Sequence, residues 1–420
     1  MKTKAPRVVS SGDLLGSKPL VGYIVMLGVA MSLISLTVDP YLPAFPEIGM
    51  FFGVTNGVVQ ASFAGVTLGI ASGQLIIGPL SDAYGRKPLL LFTLSGYLVS
   101  TLVAFISMNI ETFIVARFFM GFFAAGGDVV GRAIIRDLYR GRLMQKLLAQ
   151  VYLIQAISPI VGPMLGAQIT EFAGWKVVFL AVGVLVLLLL LAAAWFLFES
   201  LPVEERRSST PEDMARGFRK VLRDRTYFGL LIYGAVQLGA LYGYLNFAPF
   251  IFRNSYALPA SEIGLWLAVI GVAGYVGVQV GSFLAKYIKG QWLLLLTAGL
   301  GSMSGLALIL NEGGSFWITQ LAFSLQMFVY GVGLTNVSTI ALYAHGGEAG
   351  TATSLMGVAN FAFTTLLSAF FFLIDSNGSA GVGFIICVLF GFSFFAALLI
   401  SRPWLIPDLR ESKSSEKFDY

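Results

Sequence analysis

Long apolar stretches recur along the whole chain, separated by short polar turns. A membrane-spanning helix needs about 20 apolar residues. Runs of that kind predict twelve spans, over 18–45, 57–80, 88–108, 112–135, 147–170, 174–198, 226–252, 262–285, 291–311, 315–344, 349–374 and 379–401. Only one connection is long, from Glu199 to Arg225, and it is rich in Arg, Glu, Ser and Pro. It divides the chain into residues 1–198 with six spans, a linker over 199–225, residues 226–401 with six more, and a polar tail over 402–420. The expected fold is an all-α membrane protein, twelve transmembrane helices in two pseudo-symmetric six-helix bundles, because a six-plus-six division points to a duplicated half. A faint internal echo supports this: Gly78 to Gly85 follows the second span, and Gly281 to Gly290 follows the eighth.

The placement of basic residues sets the expected orientation, since Lys and Arg concentrate in cytoplasmic segments. Of the 27 Lys and Arg, Lys176 and Arg253 alone fall in the odd-numbered connections, and Arg117 and Arg132 lie inside a span. All the others lie on the side of the N-terminus. Both termini are therefore expected in the cytoplasm. The first residues carry positive charge but no separate short apolar core or cleavage signal, so they read as a lead-in rather than a signal peptide. The tail is polar, of mixed charge, and expected to be disordered.

Composition narrows the function classes. Charged residues make up 12% of the chain, about half the share usual in soluble domains. The 48 glycines and 35 phenylalanines suit helices packed in lipid. Cys387 is the single cysteine and His345 the single histidine, which excludes an internal disulfide and any Cys- or His-based metal or haem site. No metal or cofactor is expected. The basic residues are scattered through loops flanking spans, which is no footprint for nucleic acid.

Four ionisable side chains stand inside spans: Asp39, Arg117, Asp128 and Arg132. Charge at that depth is costly, is generally paired or turned away from lipid, and marks a substrate or proton path. On a helical wheel Gly121, Asp128 and Arg132 lie about 40°, 20° and 60° from Arg117, so the fourth span presents one polar stripe. Asp128 and Arg132 are four apart and can pair along the helix. They are expected either to contact substrate or to form a self-satisfied structural pair. Asp39 and Arg117 fall at similar depth, so they are expected either to meet or to leave Asp39 as a helix-end acid hydrated from outside. A carboxyl whose separation from a guanidinium changes between conformations takes up and releases a proton. Pro40, directly after the acid, is expected to loosen the helix there.

Two further segments carry chemistry or mechanics. Gly78-Pro79-Leu80-Ser81-Asp82-Ala83-Tyr84-Gly85-Arg86-Lys87-Pro88 forms the short loop after span two; Gly85 permits a tight turn, and Asp82 can hold Arg86 or cap a helix. Span five contains Ser158-Pro159 and then Gly162-Pro163-Met164-Leu165-Gly166-Ala167, which gives a kink and a smooth face for close helix contact. Gly65, Gly69 and Gly73 in span two, with Gly277 and Gly281 in span eight, form small-residue ridges expected to pack helices. The second half is almost free of intramembrane charge. Tyr233, Gln237, Tyr242, Tyr244, Asn246, Gln326, Asn336 and Asn360 are its polar candidates, with Tyr233 and Gln237, one turn apart, and also Gln326 and Asn336, as expected substrate contacts.

The loop after span two closely resembles the loop signature of the major facilitator superfamily. Arg117 with the following Arg136-Asp137 stretch, the Gly162-Pro163-x-x-Gly166 segment and the Asp39-Pro40-Tyr41-Leu42-Pro43-Ala44-Phe45-Pro46 string resemble, in turn, signatures of its drug:proton antiporters and of their bicyclomycin/chloramphenicol-resistance branch. Ser158 and Ala167 depart from that pattern, standing where glycine is usual; both are small. The resemblance implies the twelve-span fold of that superfamily and a monomeric, proton-driven exporter working by alternating access. It also implies a gating role for Asp82, Gly85, Arg86, Gly162, Pro163 and Gly166, and proton coupling at Asp39 and Arg117.

The expected partners are a small-molecule substrate, protons and the lipid bilayer. Two substrate classes fit: drugs or other small amphipathic molecules, or a dedicated endogenous metabolite such as a siderophore or an amino-acid derivative. An enzyme is not expected, because neither a His-Glu-x-x-His helix nor paired catalytic aspartates occur. A passive channel would more naturally show a pore-lining ring from an oligomer.

Overall fold

The structure is a computed structural model that describes residues 17–139, 141–206, 211–343, 349–372 and 378–406. His345, the first residues of the lead-in, the centre of the linker and the tail beyond residue 406 lie outside the described residues. The described chain is helical: α1 (Ser17–Met31), α2 (Leu33–Val38), a 3-10 turn (Asp39–Ala44), α3 (Phe45–Phe52), α4 (Asn56–Tyr84), α5 (Arg86–Ile106), α6 (Ile110–Leu138), α7 (Gly141–Ala173), α8 (Trp175–Phe196), α9 (Pro211–Leu222), α10 (Arg225–Tyr256), α11 (Ala260–Leu284), α12 (Gly290–Leu310), α13 (Phe316–Tyr343), α14 (Ala349–Phe372) and α15 (Ser379–Phe395). Ten of these helices are long and apolar enough to cross a membrane. An eleventh span is bent by 48° between Gly22–Met31 and Leu33–Phe52. The remaining expected span is α14, whose described apolar stretch, Ala352–Ser368, is shorter.

The neighbour pattern of one half repeats in the other. Within the first, α4 packs on α6 and α5 on α8; within the second, α11 packs on α13 and α12 on α15. These are the second and fourth, then third and sixth, spans of each half. The halves meet through a matching pair of seams, α4 with α14 and α7 with α11. That repetition is the pseudo-symmetry expected of a duplicated transporter fold.

Glycine ridges set the tightest contacts. Side chains at Gly69 and Gly73 would run into the Phe118 and Phe122 carbonyls of α6, and one at Gly121 into the Val66 carbonyl of α4. In the second half Gly277 and Gly281 lie against Phe328 and Val332 of α13. These ridges therefore join helices within a half, by the close backbone approach that small residues allow in lipid. The seam between halves uses other glycines of α11: Gly264 against Pro163 and Ala167, and Gly271 against Pro159.

Aromatic rings close one end of the boundary between halves. Phe45 meets Phe250 with ring centroids 5.8 Å apart, and Phe63 meets Tyr242 at 5.3 Å. Thr365 Oγ1 lies 2.9 Å from Thr67 Oγ1. Towards the opposite end, which carries Gly85, Glu199 and Arg206, Tyr152 continues the face of α7 that bears Pro159, and Tyr275 continues the face of α11 that bears Gly271. Both tyrosines are exposed. The linker helix α9 lies at this end against α10 and α14, with Val221 fully buried.

Candidate functional site

Three prolines at a spacing of three build the core of the site. Pro40, Pro43 and Pro46 have no N–H to donate. In a 3-10 turn each carbonyl looks for a donor three residues on, so the carbonyls of Thr37, Pro40 and Pro43 lose theirs. The first span accordingly breaks into a 3-10 turn over Asp39–Ala44. Asp39 is the first residue of that turn and is buried.

Arg117 takes up the first stranded carbonyl. Its Nη2 donates to the Thr37 oxygen at 2.7 Å, and its guanidinium lies over the Tyr41 ring, 3.5 Å from the centroid. Phe179 adds a second ring at 5.6 Å. The side chain is completely buried. Cation–π contact and a carbonyl acceptor thus hold a charge for which no carboxylate partner occurs among the described residues. The expected meeting of Asp39 with Arg117 is not made in this conformation. The break turns a carbonyl, rather than the carboxylate, towards α6. Thr37 itself is fixed by Tyr97, with hydroxyl oxygens 2.9 Å apart.

Asp39 instead faces α7. A β-carbon at Gly162 would come 2.9 Å from Asp39 Cβ, and one at Gly166 would collide with the Pro40 carbonyl. Asp39 Oδ2 is buried without a hydrogen-bond partner among the described residues. The turn that carries Asp39 contacts α10 and α11 across the boundary between halves. α7 therefore has two working faces. Gly162 and Gly166 cradle the broken turn, while Pro159, Pro163 and Ala167 receive Gly271 and Gly264 of α11.

Further along α6 the polar stripe divides. Gly121 is buried against α4. Asp128 is buried and forms an ion pair with Arg132 one turn on. Arg132 is partly exposed and also reaches Tyr152 of α7. Gly127 and Gly131 press against Ala30 and Met31 of α1, and Gln155 Nε2 donates to the Met31 carbonyl at 2.6 Å. The pair thus sits where α1, α6 and α7 converge, beside the exposed Tyr152.

At the basic end Gly85 turns the chain with φ of +100°, a conformation that favours glycine. Arg86 is buried there and bonds Asp82 at 2.5 Å, Asp137 at 2.8 Å and the Ser81 hydroxyl at 2.6 Å. Its backbone N–H, the first of α5, donates to Glu199 Oε1 at 2.9 Å. The same oxygen accepts from Leu201 N at 3.0 Å, and Arg206 lies 3.7 Å from Glu199 Oε2. Glu199 and Arg206 close over Gly85, leaving no room for a β-carbon. The sequence gives no local signal for Glu199 in this cluster.

In the second half the polar candidates separate by geometry. The Tyr233 hydroxyl is engaged by Thr297 at 2.7 Å and the Leu294 carbonyl at 3.1 Å. Gln326 donates to the Ala240 carbonyl at 2.7 Å, and Asn336 to the Val332 carbonyl of its own helix at 2.8 Å. Asn336 faces Gly290 of α12. Gln237 is different: buried, with neither amide atom in a well-formed hydrogen bond among the described residues. Together with Tyr233, Tyr330, Ser338, Met356 and Asn360 it lines a small cavity. No cluster of three or more His, Cys, Asp or Glu capable of holding a metal occurs among the described residues.

The sequence profile of the Major Facilitator Superfamily matches residues 25–365. An uncharacterized transporter of that type from Bacillus subtilis, YdgK, is 31% identical over 351 residues, covering 82% of this chain and 86% of its own. A bicyclomycin resistance protein homolog from Haemophilus influenzae is 26% identical over 352 residues, covering 83% and 88%. Among solved structures, a bacterial homolog of the human lysosomal transporter Spinster, inward-facing and unoccupied, superposes with a TM-score of 0.76 at 14% identity, covering 93% of this chain and 99% of that one. With this fold, the broken first span and the Gly85–Arg86 loop in place, the chain belongs to the Major Facilitator Superfamily: it is a multi-span membrane transporter rather than an enzyme, and it resembles the bicyclomycin/chloramphenicol-resistance branch of that family.

Proposed function

We propose that this transporter exports drugs or other small amphipathic molecules from the cytoplasm in exchange for protons, by alternating access between residues 1–198 and 226–401. The observation that carries the reading is the double use of α7. One face holds the turn that bears Asp39, and the other forms half of the seam with α11. A proton gained or lost at Asp39 changes the charge buried against Gly162. The turn and the helix that cradles it cannot respond without disturbing the contacts of Pro159 and Pro163 across the seam, because packed interiors shift between discrete arrangements rather than deform smoothly.

The placement of the remaining groups suits this role. Arg117, held by Thr37 and Tyr41, fixes the broken turn from the α6 side. Arg132 lies beside Tyr152 of α7 in the first half, and Gln237 lines a small cavity in the second. The relative called a bicyclomycin resistance protein homolog supports a drug as substrate. In this reading the end carrying Gly85 and Glu199 faces the cytoplasm, the protein lies in a bacterial inner membrane, and one chain suffices.

The test is uptake into proteoliposomes of inverted orientation, with an imposed pH gradient and a panel of neutral, cationic and anionic compounds. Accumulation that follows the gradient and collapses with a protonophore is expected. Transport indifferent to the gradient would remove the antiport mechanism. Transport of one metabolite and none of the drugs would remove the drug assignment.

A further inference from the structure

Two carboxamides in the second half face one cavity. Gln237 of α10 is 4% exposed. The Tyr233 hydroxyl comes near its amide but is engaged by Thr297 and the Leu294 carbonyl, and neither Oε1 nor Nε2 of Gln237 makes a well-formed hydrogen bond among the described residues. Asn360 of α14 is half-buried, and its Oδ1 is likewise buried without a partner among them. Both line a cavity of about 40 Å³ together with Tyr330, Met356 and Ser338. Gly234 lies beside it: a β-carbon there would stand 3.5 Å from Asn360 Oδ1. No carboxylate, guanidinium or ammonium group among the described residues lines this space.

Burying a carboxamide with both ends unpaired is costly. Such groups persist where a ligand satisfies them. The chemistry available is one acceptor and one donor from Gln237 and an acceptor from Asn360. A fixed charge would find no counter-charge here, and desolvating it would oppose binding. A space of this size holds roughly three water-sized sites, the extent of a single carboxamide or a pair of hydroxyls. Tyr330 and Met356 add an aromatic face and a polarisable thioether for an apolar neighbour of that group.

The residue next to Asn360 reaches the boundary between the halves. Phe361, next to Asn360, meets Tyr242, which in turn meets Phe63 of α4. In the first half Asp128 is already paired with Arg132. We infer that Gln237 and Asn360 form a subsite for an uncharged hydrogen-bonding group, such as an amide or a diol, and so select neutral substrates carrying one. This deepens the proposed export reading and rests on it for its link to transport.

Equilibrium binding to the purified full-length protein in nanodiscs, without a pH gradient, tests the subsite apart from any coupling to protons. Chloramphenicol serves as the neutral amide- and diol-bearing probe, and ethidium as the cation lacking such an amide. Gln237→Met keeps the length of the side chain and removes both hydrogen-bonding atoms. Its expected effect is about a tenfold loss of chloramphenicol affinity, with thermal stability unchanged or raised. Asn360→Leu should weaken the same probe in the same direction. A group that merely braces the fold would instead lower stability on removal, and that result overturns the inference. So does unchanged chloramphenicol affinity, which would mean that the amides hold only water. Tighter binding of ethidium than of chloramphenicol by the wild-type protein overturns the neutral-substrate assignment. A protein that binds chloramphenicol through Gln237 yet shows no gradient-driven transport would count against antiport alone.

Discussion

The main-chain carbonyl of Pro40 rests on Gly166, with no room for a β-carbon between them. The contact joins the break in the first span to the helix that forms one side of the seam between halves. Gly166→Ala is therefore expected to be severe. The methyl group meets backbone, which cannot rotate away, and overpacking of this kind costs about 1–3 kcal/mol. Thermal unfolding should shift downward, and pH-driven transport should fall by at least tenfold in the fraction that folds. Gly234→Ala is the control, since its β-carbon would meet neighbours only at 3.5 Å and beyond; it should leave stability close to wild type. A Gly166→Ala protein of normal stability and transport would show that the two elements move independently.

Asp39→Asn should abolish transport coupled to a pH gradient while leaving the protein folded. The amide is isosteric, and Asp39 makes no ion pair among the described residues that the change would break. Removing a buried charge with no partner is neutral or stabilising for the fold. The decisive comparison is gradient-driven uptake in liposomes against thermal stability of the same preparation. Wild-type-like uptake by the variant would take Asp39 out of the coupling mechanism, whatever its effect on stability.

Much of this architecture could be read before any coordinates. Hydropathy located the spans to within several residues, because a run of about 20 apolar residues has few other stable outcomes. The Asp128–Arg132 pair was visible from its spacing alone. Pro40 marked the break, although the register of Pro40, Pro43 and Pro46, which strands carbonyls at 37, 40 and 43, carries more information than the single proline. What could not be read is which group faces which. Asp39 and Arg117 are level on straight helices, and only the 3-10 turn directs the Thr37 carbonyl to Arg117. The ridge of Gly69 and Gly73 looks alike whether it packs within a half or between halves. Its placement on α6 is a tertiary fact.

Glu199 illustrates the same limit, since it caps a helix that begins 113 residues earlier in the chain. Its carboxylate oxygen satisfies the first N–H of α5, a group that no residue of the Gly85 turn reaches. Glu199→Ala should cost about 0.5–2 kcal/mol, the usual range for a lost helix cap. Hydrogen exchange in the segment from Gly85 to Leu90 should quicken at the same time. Glu199→Gln keeps an acceptor at the same reach and should retain most of the protection, losing only the ion pair to Arg206. Equal loss in both variants would assign the effect to charge rather than to capping. Because Arg86 is held against Asp82 and Asp137 by this anchored turn, turnover should decline in Glu199→Ala more than substrate affinity does.

Arg132 offers the sharpest separation of substrate contact from scaffold. Arg132→Ala leaves the buried Asp128 carboxylate without its partner, so some loss of stability is expected from the orphaned charge alone. The partial exposure of Arg132 reduces that cost through solvent screening. Replacing both residues, Asp128→Asn with Arg132→Gln, removes the charge imbalance and should restore stability. If Arg132 and Tyr152 contact the transported molecule, the double variant will still differ from wild type in its resistance profile across neutral, cationic and anionic drugs, while its response to the pH gradient persists. If the pair only braces α6, the double variant will show the wild-type substrate range, and the single variant will differ from it in yield of folded protein and in nothing else. Drug-susceptibility profiles in a strain lacking other efflux pumps, read beside the amount of folded protein in the membrane, distinguish the two.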